Sequence, residues 1–500
     1  MIRTIDSFLL DGIHAQRCRV EVDVSGSSRP TTTIVGLPDS AVRESIERVR
    51  TAIVNSGHEF PLGRITINLS PADQRKEGPV YDLPIALALL AATGVLTPEG
   101  ARASLQCLAA GELALDGSLR PVRGIVGLGI LARRLKRPEV IVPVENAGEI
   151  AIIDGIRALP ARSLGQVILH LNRIELLPAA SPSRTSGENR GRAVHGLGDI
   201  KGQEGAKRAL IVAAAGWHHL LLLGPPGCGK TLMARALPGL LPSLEPEACL
   251  ELMQIESCAG LPLHGDGMAR QRPVRSPHHT ASSPAIVGGG SHPRPGEASL
   301  AHHGVLFLDE LPEFDRRVLE TLRQPLEDHV VTIARVKGTL TFPAKFLLVA
   351  AANPSRSGQG CRWEHGYMSR LSRPLLDRID LQVEVQPVPI RRLREDSGEG
   401  LSTREAAELV AGANRIQRQR QGIVPNSMLA GDELDRHALM TSEADAFMDE
   451  AAEELGLSAR GWNSIRRIAR TTADLATRDR IELEDVIEAV GYRALDAGMS

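Results

Sequence analysis

Gly224-Pro225-Pro226-Gly227-Cys228-Gly229-Lys230-Thr231 is followed, further along the chain, by Val305-Leu306-Phe307-Leu308-Asp309-Glu310. The first stretch fits G-x-x-x-x-G-K-[ST], a phosphate-binding loop. The apolar run 220–223 before it reads as a buried strand, and 232–237 after it reads as a helix. That is the context such a loop needs. Its glycines let backbone N–H groups close around phosphate oxygens, and the helix N-terminus adds partial positive charge. Lys230 is expected at the β- and γ-phosphates and Thr231 on a Mg²⁺ ion, so ATP with Mg²⁺ is the expected ligand pair. The second stretch is a buried strand ending on two carboxylates. Asp309 is expected on the Mg²⁺ and Glu310 on the attacking water. A chance Gly-rich turn would explain the first stretch alone, but not strand, turn, helix and acidic strand in that order.

Around this centre the 500-residue chain has room for about three domains. Its formal net charge of −2 gives no overall basic field, so any nucleic-acid contact must be local. Aromatic residues make up 3%, which argues against a base-stacking platform. Cys18, Cys107, Cys228, Cys249, Cys258 and Cys361 are scattered without a C-x-x-C pair and read as reduced thiols. No signal peptide and no run of membrane-spanning length is evident, so a cytoplasmic protein without membrane contact is expected.

Residues 1–177 read as an α+β unit. Val20-Glu21-Val22-Asp23-Val24 and Ile65-Thr66-Ile67-Asn68-Leu69 alternate like half-buried strands. Val42, Ile46, Val49 and Ile53 recur at helical spacing after Pro38-Asp39-Ser40. The apolar stretch 83–93 with Gly94 just beyond it reads as a helix, and 105–109 and 140–142 as strands. A basic cluster of Arg43, Arg48, Arg50, Arg75 and Lys76 is read as a solvated helix face in preference to a partner site. Residues 178–195, rich in Pro, Ser, Gly and Arg, are a linker.

Residues 196–395 are the phosphate-loop core and 396–500 a helical lid. Residues 232–308 are too many for a bare strand-helix-strand connection, so something is inserted. Within 268–294 stand Arg270, Arg272, Arg275, Arg294, His278, His279 and His292, with no Asp or Glu. Two readings fit that exclusion: a loop facing phosphates of DNA or nucleotide, which is preferred, and a loop between subunits. The paired histidines lack a third ligand at metal spacing and are expected to hydrogen-bond. Residues 330–333 and 339–342 flank Lys337-Gly338 as a β-hairpin. Arg335, Lys337 and Lys345 are basic there, and 329–345 contain no acid. Lys337 is the candidate phosphate contact, an idle turn lysine being the alternative. The apolar strand 346–350 runs on to Asn353, a polar residue placed to orient the hydrolytic water. Ser402-Thr403-Arg404-Glu405 is a capping box for a lid helix.

Several longer stretches carry a resemblance: Thr33-Ile34-Val35-Gly36-Leu37-Pro38-Asp39, Ser276-Pro277-His278-His279, Val287-Gly288-Gly289-Gly290-Ser291, Leu300-Ala301-His302-His303-Gly304, and Leu322-Arg323-Gln324-Pro325-Leu326-Glu327-Asp328. Through them nearly the whole chain resembles the ComM/YifB family of magnesium-chelatase-like AAA+ ATPases. The resemblance implies an α/β fold, an AAA+ P-loop core with helical lid. Before it stands an α+β domain similar to the Lon protease catalytic domain (ribosomal S5 domain 2-like). Val35-Gly36-Leu37-Pro38-Asp39, Lys76-Glu77-Gly78-Pro79 and Gly111-Glu112-Leu113 carry the Lon part. The serine position of Lon-type enzymes is Val80 here, and the partner lysine falls near Val126. Neither can attack an amide or take a proton, so the domain is expected to be proteolytically inactive.

The resemblance further implies a homo-hexamer with Arg378 as an arginine finger acting on the neighbouring subunit, Arg370 and Arg373 being weaker candidates. Arg460 matches a second sensor that the lid folds back onto the nucleotide. Many relatives carry a cysteine cluster after the sensor Asn, but here only Cys361 remains, so no zinc site is expected there. The implied function is a DNA motor, a helicase promoting branch migration in natural transformation, with branched or single-stranded DNA as partner. Lys337, Arg335, Arg270, Arg272 and Arg275 are the candidate DNA contacts. The alternatives are a chelatase-type ATPase that remodels a protein partner, an ATP-dependent protease, and a nucleotide-gated switch that binds protein through the N-terminal domain.

Overall fold

A computed structural model describes residues 2–26, 30–181, 196–261, 271–290, 293–335, 338–353, 370–388 and 401–493. The chain forms two compact units, Met1–Glu188 with Pro246–Ala269, and Asn189–Glu245 with Arg270–Ser500.

In the first unit alternating strands build a seven-stranded sheet. Its order is Thr31–Val35, Arg64–Ser70, His14–Ser25, Arg3–Asp11, Cys107–Ala109, Glu139–Pro143, Arg157–Ala161. Period two sorts the side chains: Ile5 and Leu9 join one core and Phe8 the other. Helices Ser40–Asn55 and Asp82–Thr93 cover the first face through Val42, Val49 and Leu87, and helix Ile125–Arg134 covers the second through Ile125 and Leu128. The strand expected at 105–109 starts only at Cys107, because Leu105 closes the helix Pro98–Ser104.

The basic cluster is not uniformly solvated. Arg48 donates to Asp82 through Nε at 2.8 Å and Nη2 at 3.1 Å, and Asp82 is fully buried. Burial pushes the Asp82 carboxyl up, and Arg48 and Ser45 oppose that. Lys76 is also buried, its ammonium donating to the carbonyls of Pro71 and Gln74. These two cations serve the fold of the unit.

The helix Pro246–Ala259 lies within the span read as P-loop core but clusters with the first unit. Its Met253 buries against Val126 and Ile153. Ser257 donates from Oγ to Glu149 at 2.9 Å and accepts the Gly124 N–H on its carbonyl at 3.0 Å. Part of the long insertion is thus an element of the other unit, which local periodicity cannot show.

The second unit holds a parallel five-stranded sheet in the order Val274–Arg275, Val305–Leu308, Leu347–Ala352, Leu220–Leu223, Leu381–Glu384. Both faces are covered, so its strands read as continuous apolar runs. Leu220 and Leu222 face one core with Val349 and Val383; Leu221 and Leu223 face the other with Leu348 and Leu308. Helix Glu204–Gly216 covers the first face, and the lid helices Thr403–Gln421 and Ala459–Leu475 stack on it through Val410, Ala413, Ile465 and Ile468. The capping box forms as expected: Glu405 N–H donates to Ser402 Oγ at 3.2 Å and Ser402 N–H to Glu405 Oε2 at 2.8 Å.

A buried polar chain fastens lid to core. His218 contacts Asp380 through Nδ1 at 2.9 Å and Thr471 through Nε2 at 2.8 Å, and Ser464 donates to Asp380 at 2.6 Å. Burial alone would raise the Asp380 carboxyl, but the hydrogen bond and charge of His218, with Arg467 and Ser464, hold it well below the usual range.

Next to this chain, His219 accepts the Leu348 N–H on Nδ1 at 3.1 Å, and burial pushes its imidazole down to about 4. The folded state therefore holds it neutral. Its stabilising contribution is complete above the unfolded value near 6.5 and is lost as pH falls towards 4. The full difference corresponds to about 3 kcal/mol. Unfolding midpoints of the full chain should fall between pH 6.5 and 4.5, with a shallower fall in His219→Gln, whose amide oxygen can still accept from Leu348. Equal slopes for the two proteins would refute this. Among the described residues no helix is long and apolar enough to cross a membrane.

Candidate active site

The strand order explains why the singled-out residues meet. Leu223 pairs with Ala352 on one side and with Glu384 on the other, and Leu308 pairs with Ala350. Residues 224–231, Asp309 and Asn353 therefore leave the same carboxyl edge of the sheet. Open parallel sheets bind ligands there.

Lys230 opens the helix Lys230–Ala236 and is buried. Its Nζ donates to Gly224 O at 2.7 Å, Pro225 O at 2.9 Å and Asn353 Oδ1 at 3.1 Å. The ammonium thus sits inside the loop and touches the residue read as sensor. Gly227 and Gly229 have φ of 80° and 93°, in the left-handed region that favours glycine. A Cβ on Gly224 would lie 2.2 Å from Val385 O, so only glycine lets the two strands' ends come this close. Thr231 Oγ1 donates to Asp309 Oδ2 at 2.9 Å. A hydroxyl and a carboxylate oxygen at one point form a hard-oxygen donor pair of the type Mg²⁺ takes, so the residues present fit that ion.

A cavity of 820 Å³ opens along the edge strand Leu381–Glu384, lined by Gln203, Arg208, Gln386, Val388, Ile487 and Tyr492. It falls within the size of small-ligand sites. Gln203 donates to Gln386 O across it, and Arg208 and Tyr492 meet at Glu488. The Gly202-Gln203-Glu204 turn thus faces the lid helix Leu483–Gly491.

Glu310 stands just beyond Asp309 with φ of 53°, and its N–H donates to Asp309 Oδ1 at 3.0 Å. That left-handed residue turns the chain away from the strand and separates the two carboxylates. Glu310 Oε2 lies 3.4 Å from Nδ1 of His279. The neighbouring His278 contacts Thr280 Oγ1 at 3.0 Å, so His278 hydrogen-bonds as the sequence reading expects, while His279 approaches the Glu310 carboxylate at ion-pair distance.

Arg378 and Arg460 converge on one carboxylate. Arg378 donates to Glu327 Oε2 and, at 2.6 Å, to Pro374 O; Arg460 donates to Glu327 Oε1 at 2.8 Å. Arg378 holds the Glu327 carboxyl below its ordinary range, with the charge of Arg460 adding to the effect. The three residues line a 320 Å³ cavity with Trp217, Leu326 and Asp377. Arg460, expected as the sensor that the lid folds onto the nucleotide, stands beside Arg378 at Glu327. Arg370, a weaker finger candidate, lies 3.6 Å from Glu313, and Arg373 opens the short helix Arg373–Leu376.

The candidate DNA contacts divide. Arg272 donates to Pro242 O at 2.7 Å and His303 O at 2.6 Å and lies over the Trp217 ring at 5.1 Å. Arg275 is bidentate to Glu297 at 2.6 and 2.8 Å. Both guanidinium groups are committed inside the unit. The strands Val330–Arg335 and Gly338–Pro343 pair antiparallel, Arg335 opposite Gly338, which is the expected hairpin. Arg270, Lys337 and Cys361 lie outside the described residues, as does the side chain of Arg335.

Two members of the site were not singled out by sequence. Glu327 stood only inside a motif, with nothing to indicate that it gathers two arginines. His279 was read as a hydrogen-bonding residue, but its partner Glu310 was not foreseen.

Comparison with known proteins adds the following. Residues 196–393 match the family described as magnesium chelatase, subunit ChlI; 20–146 match subunit ChlI of Mg-chelatase; and 400–493 match the ChlI C-terminal family. The chain is 41% identical over 494 residues to competence protein ComM of Haemophilus influenzae, covering 97% of this chain and 96% of that protein. It is 43% identical over 494 residues to the uncharacterized protein YifB of Escherichia coli, with the same coverage of 97% and 96%. A magnesium-chelatase 38 kDa subunit of Cereibacter sphaeroides is 29% identical over 209 residues, 37% of this chain and 57% of that protein.

Proposed function

The chain belongs to the ComM/YifB family of magnesium-chelatase-like AAA+ ATPases, and from that premise we propose that it is an ATP-driven, homo-hexameric DNA motor. The observation that carries the ATPase reading is the meeting of Lys230, Thr231, Asp309 and Asn353 at one sheet edge. Lys230 exchanges loop carbonyls for the β- and γ-phosphates. Mg²⁺, held by Thr231 and Asp309, supplies charge neutralisation of the phosphate oxygens when bound. Asn353 and Glu310 align water on the γ-phosphate, the loop amides and Lys230 take up charge as it develops, and the 820 Å³ cavity takes the nucleoside. Arg378 and Arg460 leave Glu327 and act on the neighbour's nucleotide.

DNA as the cargo is supported by the family's competence-named member and by the acid-free hairpin of residues 329–345. The reading of the first unit as a proteolytically inactive Lon-type domain rests on Val80 at the serine position and on the lysine position falling near Val126, which is buried beside Met253.

The test is steady-state ATP hydrolysis with and without single-stranded, duplex and four-way-junction DNA at two salt concentrations. Turnover should rise severalfold with DNA, and the rise should fade with salt and vanish in Lys337→Ala. Turnover indifferent to every DNA would overturn the motor reading. The second reading is a remodeller of a protein partner, favoured by the chelatase-subunit match over 196–393. It predicts stimulation by that partner and none by DNA.

A further inference from the structure

Resting on the reading that Glu310 aligns the attacking water, we propose that His279 is a positioning residue that holds the Glu310 carboxylate for hydrolysis. The contact is Nδ1 to Oε2 at 3.4 Å, and it joins two segments far apart in sequence.

The histidine is the better anchored of the two. Its ring lies 4.1 Å from that of His278 at a 34° tilt and meets Phe314 edge-on at 6.4 Å. His278 is tied in turn to Thr280, and its carbonyl accepts the Ala281 N–H at 2.9 Å. Upstream, Val274 and Arg275 extend the parallel sheet alongside Val305 and Leu306, the strand that delivers Asp309 and Glu310. The bidentate Arg275–Glu297 pair holds that edge. The same sheet therefore sets both partners.

Glu310 needs such an anchor. Its side chain is 51% exposed, its own backbone is left-handed, and its side-chain torsions cost entropy to order. The His279 imidazole, with Nδ1 3.4 Å from one carboxylate oxygen, restrains the group on that side and leaves the other oxygen for water. A base oriented by a third group is a general catalytic arrangement. Asp309 is already engaged by Thr231 and by the Glu310 N–H, so it does not supply this restraint.

The experiment measures kcat and KM for ATP hydrolysis by the full chain, with binding of a fluorescent ATP analogue as the check on folding. His279→Ala should lower kcat about tenfold, a barrier change on the scale of ordering one side chain, and leave KM and analogue affinity unchanged. His279→Asn, whose amide N–H occupies the place of Nδ1, should recover most of the rate. In a Glu310→Gln background, His279→Ala should cost nothing further, because the group it positions is gone. Wild-type kcat in His279→Ala, an Asn variant as slow as Ala, or additive losses with Glu310→Gln would each overturn the proposal alone. Equal turnover by wild type and Glu310→Gln would instead overturn the parent reading of Glu310, and this proposal with it.

Discussion

Glu310→Gln should lower steady-state ATP turnover by about a hundred- to ten-thousand-fold, the range expected on removing a positioned general base. ATP affinity should stay near that of the wild type. The substitution keeps the size of the side chain and removes its charge. Lys230 is bound to the loop carbonyls and Asn353, and Thr231 to Asp309, none of them through the Glu310 carboxylate, so the binding half of the site survives. Turnover and analogue binding measured on one preparation separate the two effects. A variant that hydrolyses at the wild-type rate would remove Glu310 from the chemistry.

Arg378→Ala should lower turnover by about a thousandfold or more, as expected for an arginine finger, and the defect should be complemented in trans. Among the described residues the polar partners of Arg378 are Glu327 and Pro374, and that of Arg460 is Glu327. Neither reaches its own chain's phosphate loop. If both act on a neighbour, mixing Arg378→Ala with Lys230→Ala should restore activity. Some interfaces then join an intact arginine to an intact loop. Arg460→Ala should recover in the same mixture, with a smaller starting loss. No recovery would place both arginines in service of their own subunit. Glu327 is 48% exposed and Arg460 44%, so that pair is solvated and worth little in stability. The Arg378 side chain is only 10% exposed, so its pair with Glu327 is the firmer of the two and Arg460 is the arginine released at small cost.

The helix and strand boundaries around the nucleotide site were legible because each depends on neighbours in sequence. Four consecutive leucines can only be a buried strand here, the following glycines only a turn, and Lys230 only the start of a helix. Asp309 and Asn353 were legible for the same reason, each ending an apolar run that the parallel sheet must bury. The hairpin of 330–343 was equally local, its strands pairing Arg335 with Gly338.

What sequence could not indicate were the pairings that join distant segments. Arg48 and Arg272 look like surface cations until Asp82 and the carbonyls of Pro242 and His303 are seen to bind them. The helix Pro246–Ala259 carries ordinary amphipathic signals, and nothing in them says which unit's apolar surface it covers. Glu327 lies 51 residues from Arg378 and 133 from Arg460, and its role exists only because sheet and lid bring all three together. The candidates for phosphate, metal and water could be picked out from sequence alone, since each stands at the end of a locally readable apolar run or in a glycine-rich turn. The tertiary structure alone decided which charges are paired, which helix serves which unit, and that His279 faces Glu310. Those are differences in distance between groups that the chain does not make neighbours.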